Sequence, residues 1–90
     1  MQDKTVLITG GNSGIGKEAA IAIAKQGATI VIACRNEISA QQAVEDIKNA
    51  SGNTKIAFIK LDLASLQSVR DAVKQFKQQY KRLDVLLNNA

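Results

Sequence analysis

The residues of this chain best suited to chemistry are the glycines of residues 9–16, which read TGGNSGIG. Four of the six glycines in the 90-residue chain fall within this loop. Glycine has no Cβ and adopts positive φ without strain, so a polyanion can approach the backbone closely. A helix that begins there adds free N–H groups and the positive end of its dipole. The loop therefore predicts a binding site for a diphosphate.

The elements on either side of the loop bear on this interpretation. Residues 5–8 form a short apolar run typical of a buried parallel strand, and residues 17–26 carry alanine and isoleucine at helical spacing. The alternative is that the glycines only allow a tight strand-to-helix turn with close packing. A strand before the loop and a helix after it, within a βαβ unit, favour phosphate binding.

The rest of the chain repeats this alternation, with three strand–helix pairs followed by a final strand. The predicted strands run from about Lys4 to Thr9, Thr29 to Ala33, Lys55 to Leu61 and Asp84 to Leu87; the predicted helices run from Gly14 to Lys25, from between Asn36 and Ser39 to about Ser51, and from a cap at Ser65 to Gln79. This βαβαβαβ order predicts an α/β fold, one Rossmann-type half with a parallel sheet in the order 3-2-1-4 and helices on both faces. Ligands are expected at the carboxyl ends of the strands, where strands one and four diverge.

Three local features refine this outline. Asn36 and Ser39 can each cap the second helix, and Ser39 with Gln42 resembles a capping box. Strand three carries lysine at both ends, which suits an edge strand. Apolar residues at helical spacing predict the buried faces; they are Ile15, Ala19, Ala20 and Ile23 in the first helix, Ala40, Ala43, Val44 and Ile47 in the second, and Val69, Ala72, Val73, Phe76 and Tyr80 in the third.

Composition excludes several classes of function. With 46% hydrophobic and 22% charged residues, the chain is typical of one folded domain. The chain has no histidine, so it offers no imidazole base, and its single cysteine, Cys34, excludes an internal disulfide and a multi-cysteine zinc site. Cys34 is predicted to be a small core residue. The net charge of +4 is spread over predicted outer faces of helices, which favours a solvated surface over a nucleic-acid partner. No metal site is expected.

The termini and the apolar runs give expectations about location. The first residues enter the first strand at once, so we expect no signal peptide. No apolar run approaches the roughly 18 residues that a membrane span needs. A single cysteine fits a reducing compartment, and the sequence therefore predicts a cytoplasmic protein with no membrane span in this chain.

Four segments together resemble the short-chain dehydrogenase/reductase family. They are the glycine-rich loop, Cys34-Arg35-Asn36 after strand two, Asp62-Leu63 after strand three, and Asn88-Asn89-Ala90 after strand four. The last segment is similar to the Asn-Asn-Ala-Gly motif of the family, up to its missing glycine. The loop with Ala33-Cys34-Arg35-Asn36 most resembles the retinol-dehydrogenase-like branch, whose members act on lipophilic carbonyls or alcohols.

This resemblance implies a dinucleotide site and its residues. The expected cofactor-binding residues are Gly10, Asn12, Ser13, Gly14, Ile15, Gly16, Arg35, Asn36, Asp62, Leu63, Asn89 and Ala90. A site for NAD(H) would place a carboxylate after strand two to bond the ribose 2′-hydroxyl. Arg35 stands there instead, and an arginine can hold a 2′-phosphate by charge-assisted bonds. The expected cofactor is therefore NADP(H), although Arg35 could also be an ordinary surface residue at a helix start.

The remaining segments have plainer alternatives. In the family, the residues at Asp62 and Leu63 flank the adenine, but Asp62 could equally be an anion at a helix start. Asn88 and Asn89 could form an ordinary turn, because asparagine suits turns. In the family, asparagine amides at this point tie neighbouring strand ends together near the cofactor ribose.

The resemblance also implies what this chain lacks. The tyrosine, lysine and serine that catalyse the reaction lie later in the family's chain, and Tyr80 has no lysine at the required spacing. We therefore expect no catalytic residue here, and we expect the chain to be the N-terminal part of one NADP-binding domain of a longer reductase, inactive alone. The expected substrate is a small carbonyl or alcohol, and a homo-oligomer is compatible. Two other functions remain open: a non-catalytic dinucleotide-binding module or sensor, and a domain that binds S-adenosylmethionine, against which Arg35 argues.

Overall fold

A computed structural model describes residues 2–12 and 14–89 as one α/β unit. The strands are β1 (Thr5–Thr9), β2 (Thr29–Cys34), β3 (Ile56–Lys60) and β4 (Val85–Asn88), and the helices are α1 (Gly14–Ala24), α2 (Glu37–Ser51) and α3 (Leu66–Gln79). Every predicted element is present, with bounds within one residue of those expected at most ends. Two of the predicted site residues, Ser13 and Ala90, lie outside the described residues.

The four strands form one parallel sheet in the order β3-β2-β1-β4, as the sequence predicted. The register pairs Thr5 with Thr29 and Val6 with Val85. The chain moves in one direction from β1 to β3 and then returns past β1 to β4. Because parallel crossovers are right-handed, this reversal places α1 and α2 on one face of the sheet and α3 on the other.

The core lies between β2 and the pair of helices α1 and α2. Ile30, Ile32 and Val31 of β2 are fully buried, which explains why this strand is apolar throughout rather than alternating. Small side chains let the two helices approach the sheet; Ala20, Ala24, Ala40 and Ala43 are all almost completely buried. No residue of α3 is buried. Its apolar side lines a cleft of about 400 Å³ against the sheet, with Val69, Ala72, Val73, Phe76 and Tyr80 among the lining residues.

Side-chain caps fix the starts of two helices. Asn36 caps α2, because its side chain accepts a hydrogen bond from the backbone N–H of Ser39 at 2.9 Å. Ser65 caps α3 through the N–H of Ser68 in the same way. The predicted capping box of Ser39 and Gln42 is therefore wrong. Ser39 is already the third residue of α2, and the Gln42 side chain donates to Asp46.

Several residues predicted to be buried are not in the core. None of the predicted buried face of α3 is buried, and Val73 is 47% exposed, because this side of the helix lines a cleft. Ile15 is 79% exposed, although its spacing placed it on the buried face of the first helix. The buried positions of α1 are Gly16, Ala20 and Ala24, which shifts the buried face by one residue. The shift arises because the first turn of α1 leans on the loop through Gly16, where only glycine fits. Among the described residues, no helix has the length and apolar character needed to cross a bilayer.

Candidate functional site

A cavity of about 340 Å³ lies at the carboxyl ends of β1, β2 and β3. Six of the predicted site residues line it together: Gly10, Asn12, Arg35, Asn36, Asp62 and Leu63. These residues come from three separate segments, so the fold brings them to one place at the predicted edge of the sheet. The other four described site residues are not among the lining residues: Gly14, Ile15 and Gly16 form the first turn of α1, and Asn89 follows β4. Asn89 contacts the cavity-lining residue Gly10.

The glycine-rich loop is anchored to the sheet and opens into α1. The N–H of Gly10 donates to the carbonyl of Ala33 at 2.9 Å, which holds the loop against the end of β2. Gly14 begins α1 with φ of +57°, and a Cβ there would have no described atom within 4 Å. The backbone at Gly14 therefore faces open space at the N-terminus of an 11-residue helix. Its free N–H groups and dipole suit a phosphate, so this structural feature fits the predicted diphosphate.

Gly16 explains how the first turn of α1 comes so close to the loop. A Cβ at this position would lie 2.5 Å from Nδ2 of Asn89 and 2.6 Å from the backbone oxygen of Gly10. Such distances are shorter than van der Waals contact, and the Gly10 oxygen belongs to the backbone and cannot rotate away. Gly16 therefore joins the loop, the helix and the segment after β4 into one compact surface.

A hydrogen-bond network joins the ends of β1 and β4. The hydroxyl of Thr9 lies 2.9 Å from Oδ1 of Asn88, and the backbone N–H of Asn89 donates to that hydroxyl at 3.0 Å. The side-chain amide of Asn89 donates to the carbonyl of Gly10 over 3.4 Å. The asparagines thus tie neighbouring strand ends together, as the family resemblance implied. Thr9 was not among the predicted site residues; its place as the last residue of a strand, directly before the loop, is the signal that could have identified it.

Arg35 is the cationic group of the cavity. It follows β2 directly, it is exposed, and it lines the cavity. Within residues 2–12 and 14–89 its guanidinium has no hydrogen-bond or ion-pair partner. The first carboxylate after it in the chain is Glu37, which is already the first residue of α2. An unpaired arginine at this position can bind an anion bidentately without first breaking an internal ion pair.

Asp62 and Leu63 form the wall of the cavity that follows β3. Oδ1 of Asp62 accepts a hydrogen bond from the N–H of Ala64 at 3.0 Å, and the N–H of Asp62 donates to the hydroxyl of Ser68 at 2.8 Å. One carboxylate oxygen of Asp62 is therefore engaged in the turn before α3. This contact agrees with the alternative that Asp62 is an anion at a helix start. Leu63 is 59% exposed, which leaves an apolar surface beside the cavity that a flat ring could cover.

Asn12 contacts a residue that the sequence did not place at the site. Its Nδ2 donates to the hydroxyl of Ser39 at 2.9 Å. Ser39 follows Asn36 by three positions, and its own N–H is held by the Asn36 side chain. The sequence indicated only that Ser39 could cap a helix, and it suggested Gln42 as the partner of Ser39 rather than Asn12.

Cys34 lies at the end of β2 and reaches the cavity wall but is buried. Burial raises the pKa of the Cys34 thiol, and its sulfur lies 3.5 Å from the carbonyl of Asn36. A raised pKa favours the thiol, which is a weaker nucleophile than the thiolate. The environment of Cys34 therefore agrees with a core residue that carries no chemistry.

Comparison with known proteins gives the class of protein. The family model described as short chain dehydrogenase matches residues 4–90. The chain is 43% identical over 90 residues to the human protein named Dehydrogenase/reductase SDR family member 13, and 40% identical over 87 residues to mouse Retinol dehydrogenase 13. The chain belongs to the short-chain dehydrogenase/reductase family of oxidoreductases, and its curated relatives include retinol dehydrogenases.

A solved structure gives the same result for the fold. L-Sorbose reductase from Gluconobacter frateurii, complexed with NADPH and L-sorbose, superposes with a TM-score of 0.89 at 31% identity over 100% of this chain. This chain covers 34% of that protein, 24% of the human relative and 26% of the mouse relative. The chain thus spans about a quarter of the length of the curated relatives it matches.

Proposed function

We propose that this chain provides the NADP(H)-binding part of an oxidoreductase that transfers hydride between the nicotinamide and a small carbonyl or alcohol substrate. The observation that carries the preference for NADP(H) is Arg35. It is exposed, it has no partner among the described residues, and it lines the same cavity as Gly10 and Asn12 of the glycine-rich loop. A pyrophosphate at the loop and a 2′-phosphate at Arg35 would then lie on two sides of one cavity.

Each wall of the cavity has its own part in this proposal. The loop and the N-terminus of α1 hold the pyrophosphate, because a helix N-terminus favours an anion and the space beside the Gly14 backbone is open. The guanidinium of Arg35 binds the 2′-phosphate, and the Leu63 side chain packs on the adenine. Asn89 holds the edge of the loop near the ribose through its bond to Gly10. Bound NADP(H) supplies the hydride chemistry, and these residues supply its orientation.

Two comparisons support the cofactor and the substrate class. L-Sorbose reductase, part of whose fold matches all of this chain, is complexed with NADPH in its solved structure. Retinol dehydrogenase 13 is a relative at 40% identity, and its name refers to a lipophilic alcohol. We therefore propose an apolar alcohol or carbonyl substrate for the whole protein to which this chain corresponds.

The environment of Tyr80 does not suit a catalytic base, which favours cofactor binding without turnover by this chain alone. Tyr80 lies at the end of α3 beside the cleft against the sheet, its ring centroid 4.9 Å from that of Phe76. Burial raises the pKa of the Tyr80 hydroxyl, whereas a general base needs a pKa near the working pH. Among the described residues, the next lysine after Tyr80 is Lys81, which does not have the family's spacing. A non-catalytic dinucleotide-binding module is therefore the second candidate for this chain taken alone.

The substitution Arg35→Asp tests the cofactor preference. We expect the wild-type chain to bind NADPH more tightly than NADH, and the variant to lose about tenfold or more in NADPH affinity, because a charge-assisted bond becomes a repulsion. Isothermal titration calorimetry with both dinucleotides measures this. The control is Arg70→Asp, which makes the same change on exposed α3. If NADPH still binds far better than NADH to the Arg35 variant, Arg35 does not decide the preference.

A second measurement tests whether these residues bind the cofactor without turnover. We expect the 90-residue chain to bind NADPH without oxidising it in the presence of an aliphatic aldehyde, because it contributes no catalytic tyrosine–lysine pair. Absorbance of NADPH over time, at concentrations that saturate binding, is the readout. Measurable aldehyde reduction by the purified chain would contradict this part of the proposal.

A further inference from the structure

The glycine-rich loop and the start of α2 are joined by one side-chain hydrogen bond. Nδ2 of Asn12 donates to the hydroxyl of Ser39 at 2.9 Å, between residues 27 positions apart in the chain. Ser39 is partly buried and Asn12 is half-buried. The bond is therefore partly protected from water, and its geometry is that of a normal hydrogen bond.

The two ends of this bond lead to different parts of the cavity. Asn12 belongs to the loop that begins at Gly10. Ser39 donates its N–H to the side chain of Asn36, and Asn36 follows Arg35 directly. A continuous set of hydrogen bonds thus connects the phosphate-binding loop with the turn that presents the guanidinium. Asn12, Arg35 and Asn36 all line the same cavity.

We propose that Ser39 is a positioning residue that fixes the distance between the glycine-rich loop and Arg35. This inference rests on the proposed NADP(H) site. A dinucleotide with a 2′-phosphate must contact both the loop and Arg35, so its affinity depends on their separation. A nucleotide with one phosphate contacts only one of them and does not depend on that separation. Ser39 touches no phosphate itself and acts through Asn12 and Asn36.

A second contact between α1 and α2 provides a matched control. Nζ of Lys17 lies 2.5 Å from Oδ2 of Asp46, which joins the same two helices farther along α2. Neither residue lines the cavity. Removing this ion pair loosens the seam between the helices without touching the Asn12–Ser39 bond. It therefore separates a general effect on helix packing from a specific effect on the site.

The test compares the affinities of three nucleotides for the 90-residue chain and for its Ser39→Ala variant. Adenosine 2′,5′-bisphosphate bridges the loop and Arg35, whereas 5′-AMP and 2′-AMP each carry one of its phosphates. We expect Ser39→Ala to weaken binding of the bisphosphate by about three- to tenfold, the effect of one hydrogen bond, and to change each monophosphate by less than about twofold. Ser39→Thr keeps a hydroxyl and is expected to retain the wild-type affinity. Asp46→Asn is expected to leave all three affinities within about twofold.

Further variants keep the outcome decisive. If Ser39→Ala does not fold, as judged by circular dichroism, Ser39→Cys removes the hydroxyl oxygen with little change in size and is expected to give the same preference among nucleotides. Asn12→Ala removes the other end of the same bond, but Asn12 also lines the cavity, so it is used only together with Ser39→Ala in a double-mutant cycle. The double variant is expected to be no worse than either single one, because both remove one bond. Equal weakening of all three nucleotides, or none, overturns the role of Ser39. A wild-type chain that binds neither the bisphosphate nor NADPH refutes the proposed function itself, and the inference falls with it.

Discussion

The hydroxyl of Thr9 lies 2.9 Å from Oδ1 of Asn88, where β1 and β4 leave the sheet side by side. Thr9 is 7% exposed and is the one buried polar residue among those described. The same hydroxyl accepts the backbone N–H of Asn89 at 3.0 Å. One buried oxygen therefore satisfies two groups of β4 and of the segment that follows it, and it holds that segment against the loop.

Replacing this hydroxyl by a methyl group is expected to destabilise the fold. Thr9→Val keeps the shape of the side chain but leaves the N–H of Asn89 and Oδ1 of Asn88 without their partner. We expect a loss of about 1–3 kcal/mol in the free energy of unfolding, measured by urea denaturation. Thr9→Ser retains the hydroxyl and is expected to lose much less. Equal losses in the two variants would show that packing rather than hydrogen bonding is what Thr9 contributes.

Gly14 and Gly52 provide a matched pair for the loop. Both have positive φ, +57° and +74°, and a Cβ at either position would meet no described atom within 4 Å. Gly14→Ala and Gly52→Ala are therefore both expected to cost about 1–2 kcal/mol through backbone strain alone. Only Gly14→Ala is expected to weaken NADPH binding, because its methyl group enters the space in front of the N-terminus of α1. Urea denaturation and calorimetric titration measure the two effects separately, and equal NADPH affinity in both variants would place the phosphate elsewhere.

Acid is expected to destabilise the chain partly through Asp84. Its carboxylate accepts the backbone N–H of Thr5 at 2.7 Å and lies beside Arg82, and these contacts hold the pKa of Asp84 below its ordinary value. The contribution is therefore present above the unfolded-state pKa of about 4, and it is lost as pH falls through the lower pKa of the folded state. Asp84→Asn is expected to flatten the loss of stability between about pH 4 and lower values.

Thermal unfolding recorded from neutral pH to below pH 4 gives the profile. Asp71→Asn is the control, because the Asp71 carboxylate accepts a hydrogen bond from Gln67 within the same helix and joins no other element by that bond. We expect its profile to follow the wild type. The Lys17 ammonium also holds the pKa of Asp46 below its ordinary value, so some acid dependence is expected to persist in the Asp84 variant. An unchanged slope in Asp84→Asn would contradict the assignment.

Local pattern predicted most of the secondary structure. The apolar run from Thr29 predicted β2, and the cap at Ser65 predicted the start of α3. These signals act between residues a few positions apart, so they can be read without a fold. The strand order then followed from the handedness of crossovers.

Two of the errors arose where two local interpretations were equally good. Asn36 and Ser39 are both able to cap a helix, and only the placement of α1 beside α2 gives Ser39 a different partner, Asn12. Ile15 has the spacing of a buried residue, but the close approach of Gly16 to Gly10 and Asn89 turns the helix so that Ile15 faces solvent. Both outcomes include contacts between residues far apart in the chain, Asn12 with Ser39 and Gly16 with Asn89.

By itself, the sequence determined that this chain is an alternating α/β unit with a glycine-rich loop after its first strand and an arginine after its second. The tertiary structure decided which of these segments meet: Gly10, Arg35 and Asp62 around one cavity, Thr9 against Asn88, and Asn12 against Ser39. The physical reason is the range of the forces involved. Helices and strands are chosen by hydrogen bonds and burial patterns among near neighbours, whereas a site is chosen by the packing of whole elements, which sets distances between residues far apart in the chain.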